Sequence, residues 1–189
     1  MRKHLRSFAR DPAGNAIVEF ALVMPLLLLL IVGSFELAIM LLVGGSLEAA
    51  VLAASRYGAT GYEGGGVSRE ARIRQIIGER TFGLVDLDRA TIETLVYPSF
   101  SDIGHPEPFT DANGNGRYDA GEPFVDTNGN GQWDRDMGRP GTGGACDVVL
   151  YVVTYDTGPI TGLLQPIMGR ITHRASVAVR NEPYGGTPC

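Results

Sequence analysis

Polar and apolar positions are segregated along this chain into regimes of different period. From Ala16 to Leu52 apolar residues dominate, and no charge interrupts residues 20 to 35. A helix from Asn15 to Glu36 rises about 31 Å, close to the hydrocarbon thickness of a bilayer. Glu19 then falls near one boundary and Glu36 near the other. Small and aliphatic residues continue to about Tyr57, which predicts one helix over 15–57 that leaves the membrane and packs on a folded domain. Pro25 lacks the N–H that would bond Ala21, so a kink or loosened turn is expected there. Gly33, Gly44 and Gly45 weaken a helix but permit close helix contacts.

After the break "GYEGGGV" the period stays helical for one more element. Ser68 suits an N-cap, Ile73, Ile76 and Ile77 share a face, and Gly83 suits a stop. The pattern then becomes β-branched and alternating. Strands are predicted at about Thr91 to Tyr97, at 146–156 ("CDVVLYVVTYD") and at 171–180. In the last of these Ile171, His173, Ala175, Val177 and Val179 share one face, with Arg174 and Arg180 opposite. The connection "TGPITGLLQPIMGR" is too long for a tight hairpin and reads as a loop with a short apolar plug. The fold class is therefore α+β: a long N-terminal membrane-spanning helix, then a helix and a small antiparallel sheet.

Charge adds an orientation. Arg2, Lys3, Arg6 and Arg10 against Asp11 give residues 1–14 a net +3, while the whole chain carries −5. A basic end before an apolar run is retained on the cytoplasmic side, placing the C-terminal part outside the cytoplasm in a single-pass topology. The acidic remainder argues against nucleic acid as a partner. His4, His105 and His173 are scattered, and neither GxSxG nor HExxH occurs, so nothing points to an enzyme. Cys146 and Cys189 are the two cysteines. If the last two strands pair antiparallel, the tail returns toward Cys146 and a disulfide can close; two unpaired thiols are the other reading.

Between the strands, "FTDANGNGRYDAGEP" (109–123) realigns with "FVDTNGNGQWDRDMG" (124–138) at a period of 15, with seven identical positions. The first copy fits a twelve-residue calcium loop: Asp111, Asn113 and Asn115 at positions 1, 3 and 5, Gly116 at 6, the Arg117 carbonyl at 7, Asp119 at 9 and Glu122 at 12. Oxygens at alternate positions let the backbone wrap one hard cation, and the glycine permits the sharp turn. The second copy offers Asp126, Asn128, Asn130, the Gln132 carbonyl and Asp134, but Met137 stands at position 12. Asp136, one residue early, or a ligand from elsewhere would have to complete it, so the second site is expected to be weaker or irregular. With so few residues between the copies, paired flanking helices cannot form. The chemistry resembles dockerin loops or thrombospondin type 3 repeats, and one or two calcium ions are expected to order a segment too poor in apolar residues to fold alone. A polar, disordered loop is the competing reading.

The segment "GNAIVEFALVMPLLLLLIVGSFELA" carries a resemblance. A short basic leader, Gly14, four residues, Glu19 and an apolar helix resemble a type IV prepilin, and the extended string is similar to the TadE-like pseudopilins of the Tad (tight adherence, Flp-type) pilus machinery. "ITHRASVAVRNEP" is similar to that family's last strand. The likeness covers roughly 8–60 and 145–183 and leaves about 98–144 unaccounted for. It implies a pilin-like fold, cleavage after Gly14 by a prepilin peptidase, Asn15 as the mature N-terminus, and pairing of Glu19 with a neighbouring subunit's terminal amine. Asn15 departs from the apolar residue usual at that position. It further implies other pilins and an inner-membrane assembly platform as partners, the bacterial inner membrane as location, and a surface pilus after assembly. A cleaved secretory signal would have a shorter apolar region of roughly 7–15 residues.

The expected organisation is thus a basic leader over 1–14, a transmembrane and stalk helix over 15–57, a helix and first strand over 58–108, tandem calcium loops over 109–138, and C-terminal strands and tail over 139–189. The function expected is that of a structural minor pilin. A membrane-anchored, calcium-dependent adhesion module that never enters a filament is the alternative.

Overall fold

The computed structural model describes residues 12–62, 64–162, 164–185 and 189, with the backbone alone for 12–15. The greater part of the predicted basic leader lies outside the described residues. Helix α1 (Pro12–Ala59) is continuous, with Pro25 inside it. Then follow α2 (Arg69–Arg80), β1 (Ala90–Tyr97), the two-residue β2 (Arg139–Pro140), β3 (Val148–Thr157), the short α3 (Gln165–Met168) and β4 (Ile171–Arg180). The α+β class is as expected. The strand order is β2-β1-β3-β4.

Two compact units are distinguished: one holds the chain up to Leu42 with Gly158–Ile171, the other Val43–Thr157 with Thr172–Cys189. In the first, α1 exposes apolar side chains on nearly every face, among them Ile17, Leu22, Phe35 and Leu41. From Ala16 the helix is long and apolar enough to cross a membrane. A helix apolar all round suits lipid rather than water.

In the second unit, β1 and β3 pair antiparallel from Ala90↔Tyr155 to Tyr97↔Val148. Alternation sorts their side chains onto two faces. Val149, Tyr151 and Val153 share a face with Val96, Thr94 and Ile92, their partners in the register. Tyr151 meets Gly58 of α1, and His173 of β4 lies against Gly44. Along α1, Val43, Leu47, Ala50, Val51 and Ala54 are buried at helical spacing. Ser68 caps α2 as expected, accepting from the Ala71 N–H at 3.2 Å, and Ile73 and Ile77 are buried.

The opposite face of the sheet carries Leu95, Tyr97, Val148 and Leu150, packed with Met137 and Ile103 from the insertion. The Tyr97 hydroxyl donates to Asp136 Oδ1 at 2.8 Å. Burial, and then the neighbouring Asp136 carboxylate, push the Tyr97 phenol well above its ordinary value. At the start of β3, Cys146 and Cys189 form a disulfide with Cα atoms 5.4 Å apart. The Asn181 N–H donates to the Asp147 carbonyl at 2.8 Å, so the tail does return beside the start of β3.

Helix α1 lies close against the sheet at Gly58. A Cβ there would lie 2.1 Å from Tyr151 Oη, and that hydroxyl is buried with no hydrogen-bond partner among the described residues. Gly58→Ala is therefore expected to destabilise by about 1–3 kcal/mol through overpacking. Tyr151→Phe alone should be near neutral, since it removes an unpaired group. Adding Tyr151→Phe to Gly58→Ala should recover part of the loss. Thermal melting of the four proteins in detergent measures the cycle, and strictly additive losses would contradict this contact.

Candidate functional site: the tandem acidic loops

The insertion between β1 and β3 is built as two copies of one structure. In the first loop Asp111 Oδ1 accepts from the Gly114 N–H at 2.7 Å and the Asn115 N–H at 3.2 Å, and Oδ2 accepts from Gly116 at 2.7 Å. In the second, Asp126 Oδ1 accepts from Gly129 at 2.8 Å and Asn130 at 3.1 Å, and Oδ2 from Gly131 at 2.9 Å. Gly114, Gly116, Gly129 and Gly131 all have positive φ, which turns these N–H groups inward onto one carboxylate. The amides of Asn113 and Asn115 meet Asp119 Oδ2 at 2.6 and 2.7 Å. Those of Asn128 and Asn130 meet Asp134 Oδ2 at 2.7 and 2.6 Å.

The closing carboxylates come from different places: one follows the first loop within its own copy, and the other precedes both copies. Glu122 closes the first loop through hydrogen bonds: Oε1 accepts from the Ala112 N–H at 2.9 Å and Oε2 from the Asp119 N–H at 3.0 Å. In the second loop the same two positions are served by Glu107. Its Oε1 accepts from Thr127 at 2.7 Å and Asn128 at 3.2 Å, and its Oε2 from Asp134 at 3.1 Å. The backbones agree: the Glu122 N–H donates to the Asp119 carbonyl at 3.1 Å and the Glu107 N–H to the Asp134 carbonyl at 3.0 Å.

Asp136 is therefore not what closes the second loop. Its Oδ1 is committed to the Tyr97 hydroxyl and the Gly138 N–H, and Met137 is buried in the sheet cluster. Sequence reading passed over Glu107 because it precedes the first loop. The signal was present, however: extending the 15-residue repeat two residues upstream adds Glu107–Pro108 against Glu122–Pro123 to the identities.

A short antiparallel bridge, Phe109↔Phe124, pairs the first residues of the two copies. It is flanked by Thr110 N–H to Pro123 C=O and Val125 N–H to Pro108 C=O, both 2.8 Å. Tyr118 and Trp133 stack at 4.5 Å with an interplanar angle of 13°. Phe109 meets both edge-on, at 5.8 and 5.9 Å, and Phe124 meets Tyr118 at 5.9 Å. The four aromatics thus pack mainly on each other, and the Trp133 indole N–H donates to the Glu107 carbonyl at 2.8 Å.

Glu107 is fully buried, and no Lys, Arg or His side chain pairs with it among the described residues. No group of three or more His, Cys, Asp or Glu suited to a metal occurs among the described residues. A cation here would depend on Asn oxygens and backbone carbonyls together with the carboxylates, a donor set that suits a hard ion such as calcium.

The expected processing residues lie on α1. Gly14 and Asn15 fall in its first turn, and Glu19 is exposed one turn on.

Residues 14–56 match the family described as TadE-like protein. The match covers α1 and less than half of the chain, and it supports a pilus-associated, membrane-anchored role. Neither the curated proteins nor the solved structures contain a match to this chain.

The N–H groups of Gly116, Gly114 and Asn115, with that of Gly116 foremost, hold the Asp111 carboxyl below its ordinary value of about 4. A depressed folded value means that this carboxylate favours the folded loop above about pH 4, and that the contribution is lost as pH falls through the folded value. Hydrogen-exchange protection of the Gly114 and Gly116 amides is expected to fall across that acid range in the wild type. In Asp111→Asn, which has no proton to gain, protection should be low and show no such step.

Proposed function

We propose that this protein is a structural subunit, a minor pilin or pseudopilin of a Tad-type pilus or secretion system, held in the bacterial inner membrane before assembly. The observation that carries the reading is the coincidence of the TadE-like match over 14–56 with a helix that is apolar and exposed on nearly every face. In this reading a prepilin peptidase cuts after Gly14 and frees an amine at Asn15. Glu19 lies about 6 Å further along the helix. A carboxylate drawn into a lipid-like filament core needs a counter-charge, and a neighbouring subunit's Asn15 amine has the right sign. Other pilins and the inner-membrane assembly platform are the corresponding partners. The domain after α1 lies outside the cytoplasm, which agrees with a disulfide that oxidising compartments favour.

Mass spectrometry of the chain extracted from membranes tests this. A mature N-terminus at Asn15 is expected. Recovery of a chain still bearing Arg2 to Arg10 would favour the unassembled adhesion module instead.

The second part of the proposal is that the tandem loops bind calcium as a structural ion. A half-turn of the Asn113 and Asn115 amides replaces their N–H donors with oxygens facing the same point as Asp119, and the second loop is equivalent. Glu122 would complete the first site and Glu107 the second, so the expected weakness of the second site does not follow from Met137. The buried, unpaired charge of Glu107 supports the reading, because such a charge is costly without a cation.

Calorimetric titration of the chelator-stripped full chain in detergent should show saturable calcium binding at two sites. Glu122→Gln should remove one and Glu107→Gln the other. Wild-type titrations without heat, or unaltered by either change, would exclude the assignment.

A further inference from the structure

The connection between β3 and β4 sits in the same unit as the membrane-crossing part of α1. It is fastened to that helix at two positions on one face, three residues apart. Glu36 is buried, and its carboxylate accepts from the Ile160 N–H at 2.8 Å, the Thr161 N–H at 2.7 Å and the Thr161 hydroxyl at 2.6 Å. One turn earlier Leu164 Cδ1 lies 3.8 Å from where a Gly33 side chain would begin, and Leu164 is buried.

The depth of this clamp is informative. Glu36 is the sole charged residue between Glu19 and Glu48. Beyond it the helix goes on exposing Leu37, Leu41 and Leu42. Once the loop takes up the Glu36 carboxylate, no exposed charge marks a membrane boundary at residue 36. The apolar band runs on past the loop's point of attachment, so the loop lies at or inside the outer edge of a bilayer about 30 Å thick.

The loop's composition and hydrogen bonding suit that depth. No charge occurs from Thr157 to Gly169. Ile160 and Ile167 are strongly exposed, at 68% and 77%. Irregular backbone near hydrocarbon requires its N–H groups to be taken up within the protein. Those of Ile160 and Thr161 go to Glu36. Those of Gln165, Ile167, Met168 and Gly169 go to carbonyls at Gly162, Leu164 and Gln165, all at 2.8–3.3 Å. Pro159 and Pro166 have none to satisfy. Arg170, directly after the loop, is exposed and of the right sign for a lipid phosphate.

We infer that residues 158–162 and 164–169 belong to an interfacial loop seated in the outer leaflet at the boundary of headgroups and acyl chains, with Ile160 and Ile167 as its lipid contacts and Glu36 as the residue that positions it. This rests on α1 crossing the bilayer.

The test uses the full chain reconstituted in phosphatidylcholine–phosphatidylglycerol vesicles. Trp133→Phe removes the native indole, and Ile167→Trp places a probe at an exposed position; Ile160→Trp in the same background is the second probe. The expected result is blue-shifted emission, quenched most by lipid brominated near the headgroup, little quenched by aqueous iodide, and unchanged when the protein is diluted into excess lipid. Adding Glu36→Ala should shift the quenching from bromine toward iodide. Strong iodide quenching without bromine quenching at both probes would overturn the inference. So would shielding that vanishes on dilution, which would mean that a second copy of the chain covers the loop. A chain that fails to float with the vesicles would instead refute the membrane anchor, so the two failures are distinguishable.

Discussion

The pairing of β1 with β3 sets the terms for everything after α1. Tyr97 and Val148 are register partners, so the chain from 98 to 147 must leave the sheet and return to the same place. The paired strands present two apolar faces, and neither can be left to water. Helices α1 and α2 cover one. The other is covered by the excursion itself, through Met137 and Ile103. The insertion therefore completes the core from which it departs, and Asp136 beside Met137 adds the hydrogen bond that the buried Tyr97 hydroxyl requires.

Each half of the insertion is too short and too polar to hold itself. A loop such as 111–119 directs several N–H groups inward and needs a carboxylate to receive the last of them. The first loop receives Glu122, which follows it within the same copy, and the second receives Glu107, which precedes the first loop. The second loop therefore depends on a residue that lies before the first. Edge-on and stacked aromatic pairs contribute about 0.5–1.5 kcal/mol each, and three such pairs join the repeats. Order in the second loop is thus conditional on the segment that leads into the first.

What could be read from the sequence was whatever depends on neighbours along the chain. The apolar run of α1, the Ser68 cap, the alternation of β4 and the inward glycines of the Asp-Asn loops are local patterns, and each appears close to where it was expected. The role of Glu107 was not legible by matching a contiguous twelve-residue template, because its partners Thr127 and Asp134 lie in the other repeat. Glu36 was read as an ordinary interfacial charge. Nothing adjacent to it could announce that it binds Ile160 and Thr161, 124 and 125 residues later. The Cys146–Cys189 bridge fell between these cases: the two residues were evident, but their meeting depended on β4 running back along β3.

That bridge also makes the C-terminal part of the chain, from Cys146 onward, a covalent ring. Its two cysteines are separated by 43 residues, and within the ring lie β3, the Glu36-bound connection, α3 and β4. A protease that cuts the backbone once anywhere inside the ring opens a loop without releasing a fragment. The severed strands remain joined to each other and to α1 until the disulfide is reduced. A nicked subunit would therefore keep its mass and its place, and the cut would become visible only under reducing conditions.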